Sequence, residues 1–69
     1  MTETLADVLQ MQIRRVRDEV LPAYMEIGAP GTFAAAGMRR DLDAAVKALA
    51  EQDAVACLGA LEALKGWTT

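Results

Sequence analysis

Five arginines stand out among the groups in this chain that are able to do chemistry: Arg14, Arg15 and Arg17 in one cluster, Arg39 and Arg40 in another. A guanidinium presents a planar fork of N–H donors to a carboxylate, and arginine is enriched at interface hot spots. Arg14, Arg17, Arg39 and Arg40, together with Tyr24, are therefore the candidate partner-binding residues. The competing reading is ordinary ion pairing with Asp18, Glu19, Asp41 and Asp43, and Tyr24 and Trp67 fit core or edge packing equally well. Catalysis has no visible constellation. The chain has no histidine, which removes the usual base beside a nucleophile. Cys57, the one cysteine, sits among apolar residues and reads as a buried structural thiol. Asp41 and Asp43 lie two apart, so on a helix they point away from each other. Gly28-Ala29-Pro30-Gly31 lacks the spacing and the lysine of a phosphate-binding loop and reads as a turn. The expectation is a non-enzymatic protein with no catalytic residue, no cofactor and no metal.

These side chains are positioned by helices. Alanine-rich, β-branch-poor composition favours helix, and the spacing predicts three. The first covers residues 5–27. Thr4 with Asp7 three residues on has the form of a capping box, and apolar residues recur at Leu5, Leu9, Ile13, Val16, Val20, Ala23 and Ile27 at helical intervals. Arg14 with Asp18 and Arg15 with Glu19 have the spacing of ion pairs along one face. Pro22 interrupts the hydrogen-bond ladder; because the apolar stripe runs straight through it, a kink is expected rather than a stop. The second helix covers residues 33–51, entered through a Gly28–Gly31 turn and capped by Thr32. Ala35, Met38, Leu42, Ala45 and Leu49 form its seam, and Asp43 with Lys47 an outer pair. Asp53 caps a third helix over residues 54–65, lined by Val55, Leu58, Leu61, Leu64 and Trp67, with Cys57 beside them and Gly66 at its end. The short connection makes helices two and three an antiparallel hairpin.

Size and composition explain why such a molecule seeks company. With 69 residues the chain forms one domain, residues 1–69, and buries only about 60% of its unfolded surface. Small scaffolds gain stability from disulfides, a metal or oligomerisation. One cysteine and no histidine leave oligomerisation. Helix one carries more apolar surface than a hairpin can cover, one stripe through Ile13, Val16 and Val20 and another through Leu21 and Met25. A two-fold dimer with helix one at the interface closes it. The dimer and core candidates are Leu9, Ile13, Val16, Val20, Leu21, Met25, Met38, Leu42, Leu49, Leu58 and Leu61. The fold class is thus all-α: a long N-terminal helix kinked near Pro22 plus a helical hairpin, completed as a homodimer. A net charge of −3 argues against direct nucleic-acid binding, which needs a basic surface. No apolar run reaches the roughly 18–20 residues of a membrane span, the N-terminus lacks the pattern of a signal peptide, and a lone cysteine suits a reducing compartment. A cytoplasmic location follows.

The stretch from Val20 to Trp67 resembles a group of small proteins from Mu-like temperate phages. Leu21-Pro22, Tyr24, Ile27-Gly28, Gly31, Phe33, Met38-Arg39, Ala45, Ala48-Leu49, Asp53, Val55-Ala56, Leu61 and Leu64-Lys65 carry the likeness. It departs at Gln52, where the group commonly has glycine. In length and phage context the chain also resembles early-expressed anti-quorum-sensing proteins of Pseudomonas Mu-like phages. That resemblance implies a helical homodimer acting in the host cytoplasm as an anti-activator during host takeover. Its partners would be a LuxR-type transcriptional activator, whose DNA binding it blocks, and the type IV pilus assembly ATPase. It assigns no binding residue. The alternatives are a phage structural or assembly adaptor and a small DNA-binding regulator.

Overall fold

In a computed structural model, which describes residues 4–68, the chain is all-helical. The first three residues, on which part of the signal-peptide reading rests, and residue 69 lie outside that range. Helix α1 is built from three consecutive segments: α-helical Leu5–Arg15, a π-helical stretch Val16–Val20, and α-helical Leu21–Met25. Helix α2 spans Ala29–Glu51 and α3 spans Ala54–Lys65.

Local chemistry explains most of the boundaries. Thr4 Oγ1 accepts from the Asp7 N–H at 3.1 Å while the Asp7 carboxylate accepts from the Thr4 N–H at 3.3 Å, so the expected capping box satisfies two of the helix's free donors. Asp53 caps α3 in the same manner, accepting from the Ala56 N–H at 3.1 Å. Pro22 has no N–H, and its ring crowds the carbonyl four residues back. The helix continues through it, because the preceding turn widens: the Leu21 N–H donates to the Val16 carbonyl, five residues away.

The second helix begins four residues earlier than its sequence pattern suggested. Gly28 takes φ +100° and serves as N-cap, a conformation open to glycine and costly for other residues. Pro30 then falls in the first turn, where its missing N–H is of no consequence. Thr32 is therefore not the cap. It lies inside the helix, and its hydroxyl donates to the Gly28 carbonyl at 3.1 Å. Gly31 is likewise not a turn residue. It is buried, and a β-carbon there would sit 1.7 Å from the carbonyl oxygen of Tyr24, so the end of α1 crosses α2 at backbone distance.

The three helices share one core. Leu9, Val16, Met38 and Leu64 are its fully buried large side chains, with Ile13, Val20, Leu42, Ala45, Cys57 and Leu61 around them. α1 runs alongside α3 in the same direction. Leu5 borders a groove with Ala54 and Cys57, and at the other end of the contact Arg15 Nη2 donates to the Leu64 carbonyl at 3.0 Å. That bond satisfies one of the free carbonyls at the end of α3.

The core sorts the expected apolar positions, and one expectation is corrected. The apolar stripe through Ile13, Val16 and Val20 is buried within one chain, whereas on the second stripe Leu21 is half-buried and Met25 is 42% exposed. Leu58, expected in line with Leu61 and Leu64, is 53% exposed and lies outside the core. The inward face of α3 is Cys57, Ala60, Leu61 and Leu64, with Val55 outward and Trp67 beyond the helix end. α3 is apolar around its whole circumference, so its periodicity did not single out a face.

Candidate functional site

Among the described residues, Phe33 and Val55 are the most exposed large apolar side chains, and each marks an open surface. The first lies at the end where α1 turns into α2. Phe33 projects from the first turns of α2 and is 86% exposed. One turn further, Gly37 leaves room for Trp67: a β-carbon on Gly37 would meet the indole at 3.4 Å. The indole N–H donates to Asp41 Oδ2 at 2.7 Å, and Tyr24 meets the ring edge-on, with centroids 6.3 Å apart at 87°. The Tyr24 hydroxyl in turn donates to the Thr68 carbonyl at 2.8 Å. Trp67 is thereby fixed on three sides, and it forms one wall of an open groove of about 350 Å³, shared with Phe33, Ala36, Gly37 and Arg40. The second surface is the outward face of α3, where Val55 is 79% exposed and lies one turn from Leu58 and Gly59. Nothing stands within 4 Å of a β-carbon built on Gly59.

The structure separates the five candidate partner-binding residues. Arg17 and Arg39 line one shallow groove between α1 and α2, with Ile13, Leu42 and Val46. Arg40 borders the Trp67 groove, and Arg14 lies on the outer side of α1 beside Met11 and Asp18. Tyr24 is half-buried and acts as a support for Trp67. The arginines thus form no single patch.

Their ion pairing also departs from expectation. Asp18 pairs with its neighbour Arg17, at 2.8 Å, and not with Arg14. Arg15 turns inward to Gln12 and Leu64 rather than to Glu19. The widened π turn places residues five apart, not four, above one another, which breaks the expected spacing. Further on, Lys47 meets Glu51 at 4.0 Å in place of Asp43. The hydrogen bond from Arg17, helped by its charge, holds the Asp18 carboxyl below the usual carboxylate range and raises the guanidinium's own pKa. Arg39 and Arg40 have no carboxylate partner among the described residues; Arg39 donates only to the Met25 sulfur, at 3.8 Å.

Cys57 is buried, as its apolar setting implied. Among the described residues no group of three His, Cys, Asp or Glu side chains is placed to hold a metal ion, and no helix is long and apolar enough to cross a membrane. Phe33 was missed by sequence reasoning. Its position just after a presumed turn drew attention to the turn, and only its placement on a helix already begun at Ala29 turns it outward.

Fold and surface together define a small three-helix protein that presents aromatic and aliphatic side chains on rigid helices. Comparisons with protein-family models, with curated proteins and with solved structures give no match.

Proposed function

We propose that this chain is a non-enzymatic, homodimeric inhibitor encoded by a Mu-like phage and acting in the host cytoplasm. It binds host regulatory proteins by covering their surfaces: a LuxR-type transcriptional activator, whose DNA binding it blocks, and the type IV pilus assembly ATPase as a second target. The phage origin comes from the likeness of residues 20–67 to the small Mu-like phage proteins, and the named targets from the resemblance in length and phage context to the anti-quorum-sensing proteins. The observation that carries the mode of action is the set of apolar side chains held outward on rigid helices, Phe33 and Val55 above all. Exposed apolar patches on small proteins mark interaction surfaces.

The self-contact is best supported on α3. Only Glu62 and Lys65 are charged among its 12 residues, and a helix apolar on all sides is stable when covered on all sides. An antiparallel pairing centred on Gly59 brings the two backbones close and leads Lys65 towards the partner's Asp53. The opposed helix dipoles favour the same direction.

Two measurements test the proposal. Light scattering should give twice the 7.4 kDa chain mass, falling to the chain mass in the double variant Val55→Glu, Leu58→Glu; a strict monomer across micromolar concentrations removes the dimer. For the target, the protein should co-purify with a LuxR-type activator and release it from promoter DNA in a gel shift. An activator that stays on its promoter in excess protein refutes the inhibitory role.

A further inference from the structure

The outer face of α2 takes no part in the core and carries a symmetry of its own. Thr32, Ala36, Arg39, Asp43, Val46 and Ala50 follow one another at steps of 4, 3, 4, 3 and 4, so they line one face of the helix. All six are exposed, Val46 by 55%. Beside them runs a shallow groove of about 320 Å³, where Arg39, Asp43 and Val46 meet Ile13 and Leu21 of α1. The six residues form pairs equidistant from position 41: Arg39 with Asp43, Ala36 with Val46, Thr32 with Ala50. Neither Arg39 nor Asp43 has an ion-pair partner among the described residues, although they lie one turn apart. Base before acid is the weaker order for such a pair within one helix. Arg17, across the groove, is held by Asp18.

We infer that a second copy of this chain docks on this face, its α2 antiparallel to the first, about a two-fold axis level with position 41. In that register Arg39 faces Asp43 of the second copy and Asp43 faces Arg39 of the second copy, so one arginine and one aspartate make two cross-chain ion pairs. Each Val46 lies over an Ala36, whose short side chain leaves room for it. Parallel pairing would set Arg39 on Arg39 and Asp43 on Asp43, and like charges so opposed repel. Alternating steps of three and four keep two helices in contact along their length, and opposed helix dipoles favour the antiparallel direction. The contact uses a different helix from the α3 pairing and depends neither on that pairing nor on any host target. It rests on exposed ion pairs and one valine from each chain, so it is the weaker of the two, with a dissociation constant of about 0.1–1 mM. Dimers joined through α3 join again through α2 as concentration rises.

The experiment uses the full chain carrying Val55→Glu and Leu58→Glu, which silences the α3 contact, and follows association by sedimentation and by NMR shifts. In this background the chain should self-associate towards about 1 mM, with shifts centred on Thr32–Ala50, and salt should weaken the association. Arg39→Asp gives a stripe with two acids, and Asp43→Arg a stripe with two bases. Each variant alone should associate about ten-fold more weakly or less, whereas an equal mixture of the two should associate at least as tightly as the unreversed chain. Rescue by mixing places the pairs between chains, because each helix still carries its own like charges. Arg14→Asp mixed with Glu19→Arg makes the same charge changes on the outer side of α1, and this mixture should stay monomeric. The inference is overturned by a mixture no tighter than its components, by equal association of the α1 mixture, or by shifts that lie off α2. A chain that stays monomeric to about 1 mM in the unreversed background overturns it too. The two self-contacts fail separately. A chain that dimerises at micromolar concentration but gives no rescue by mixing loses only the α2 contact, and rescue in a chain that is monomeric at micromolar concentration loses only the α3 contact.

Discussion

A β-carbon on Gly31 would lie 1.7 Å from the carbonyl oxygen of Tyr24. The contact is between the backbones of two helices, so no rotamer change relieves it. At an unconstrained helix position, replacing glycine by alanine stabilises by about 1 kcal/mol. Here the sign inverts. Gly31→Ala should cost about 3 kcal/mol, at the upper end for overpacking, read as a lowered urea midpoint with an unchanged slope.

Gln52 offers the opposite case. It holds φ +55°, ψ +36° at the end of α2, a left-handed conformation that costs most side chains energy and glycine almost none. Gln52→Gly should raise stability by about 0.5–1 kcal/mol, less the extra freedom that glycine gives the unfolded chain. Thermal melting decides it: a lower midpoint in the variant contradicts the backbone explanation.

The bond from Trp67 to Asp41 predicts a spectroscopic effect. Asp41→Ala strands the indole N–H in a half-buried setting, at a cost of about 1–3 kcal/mol. Trp67 emission should move to the red as the ring loosens from Gly37. An unchanged spectrum would mean that Tyr24 and Gly37 suffice to hold the ring.

Asp18 yields a prediction in pH. Its folded pKa is depressed below the ordinary 3.8, first by the hydrogen bond from Arg17 and then by nearby positive charge. A depressed carboxyl binds fewer protons folded than unfolded. Its contribution is therefore fully present above the ordinary carboxylate value and is lost as pH falls below it through the folded value. Both partners are exposed, so added salt should erode the effect. A carboxyl titration by NMR should place Asp18 below the ordinary 3.8, and Arg17→Gln should return it towards that value.

The legible parts of the fold were those written in local chemistry. Thr4 with Asp7, and Asp53, announce their helix starts through the donors they satisfy. Ala35, Met38, Leu42 and Ala45 announce a buried face through spacing alone, and they are buried. The seam then moves to Ala48, leaving Leu49 half-buried, because a straight helix drifts about 20° for every seven residues. What was not legible depends on contacts far apart in sequence. Pro30-Gly31 reads as a turn until Tyr24 is seen to cross it. Trp67 reads as one more step of the α3 seam until the chain beyond Lys65 folds back onto Gly37. The candidate site followed the same division. The arginines could be named in advance, but their dispersal over separate surfaces, and the prominence of Phe33, required the packing of α1 against α2.

The π turn at Val16–Val20 has an implication for how this chain tolerates changes in length. A π turn in an α-helix is equivalent to one inserted residue. Removing a single residue there would restore a regular helix, yet it would swing everything upstream by about 100°. Leu9 and Ile13 would leave the core, and Arg15 would leave the Leu64 carbonyl. α1 thus keeps its phase on both sides of Pro22 only at its present length, and a one-residue deletion between Val16 and Val20 should be far more damaging than most substitutions at the same positions.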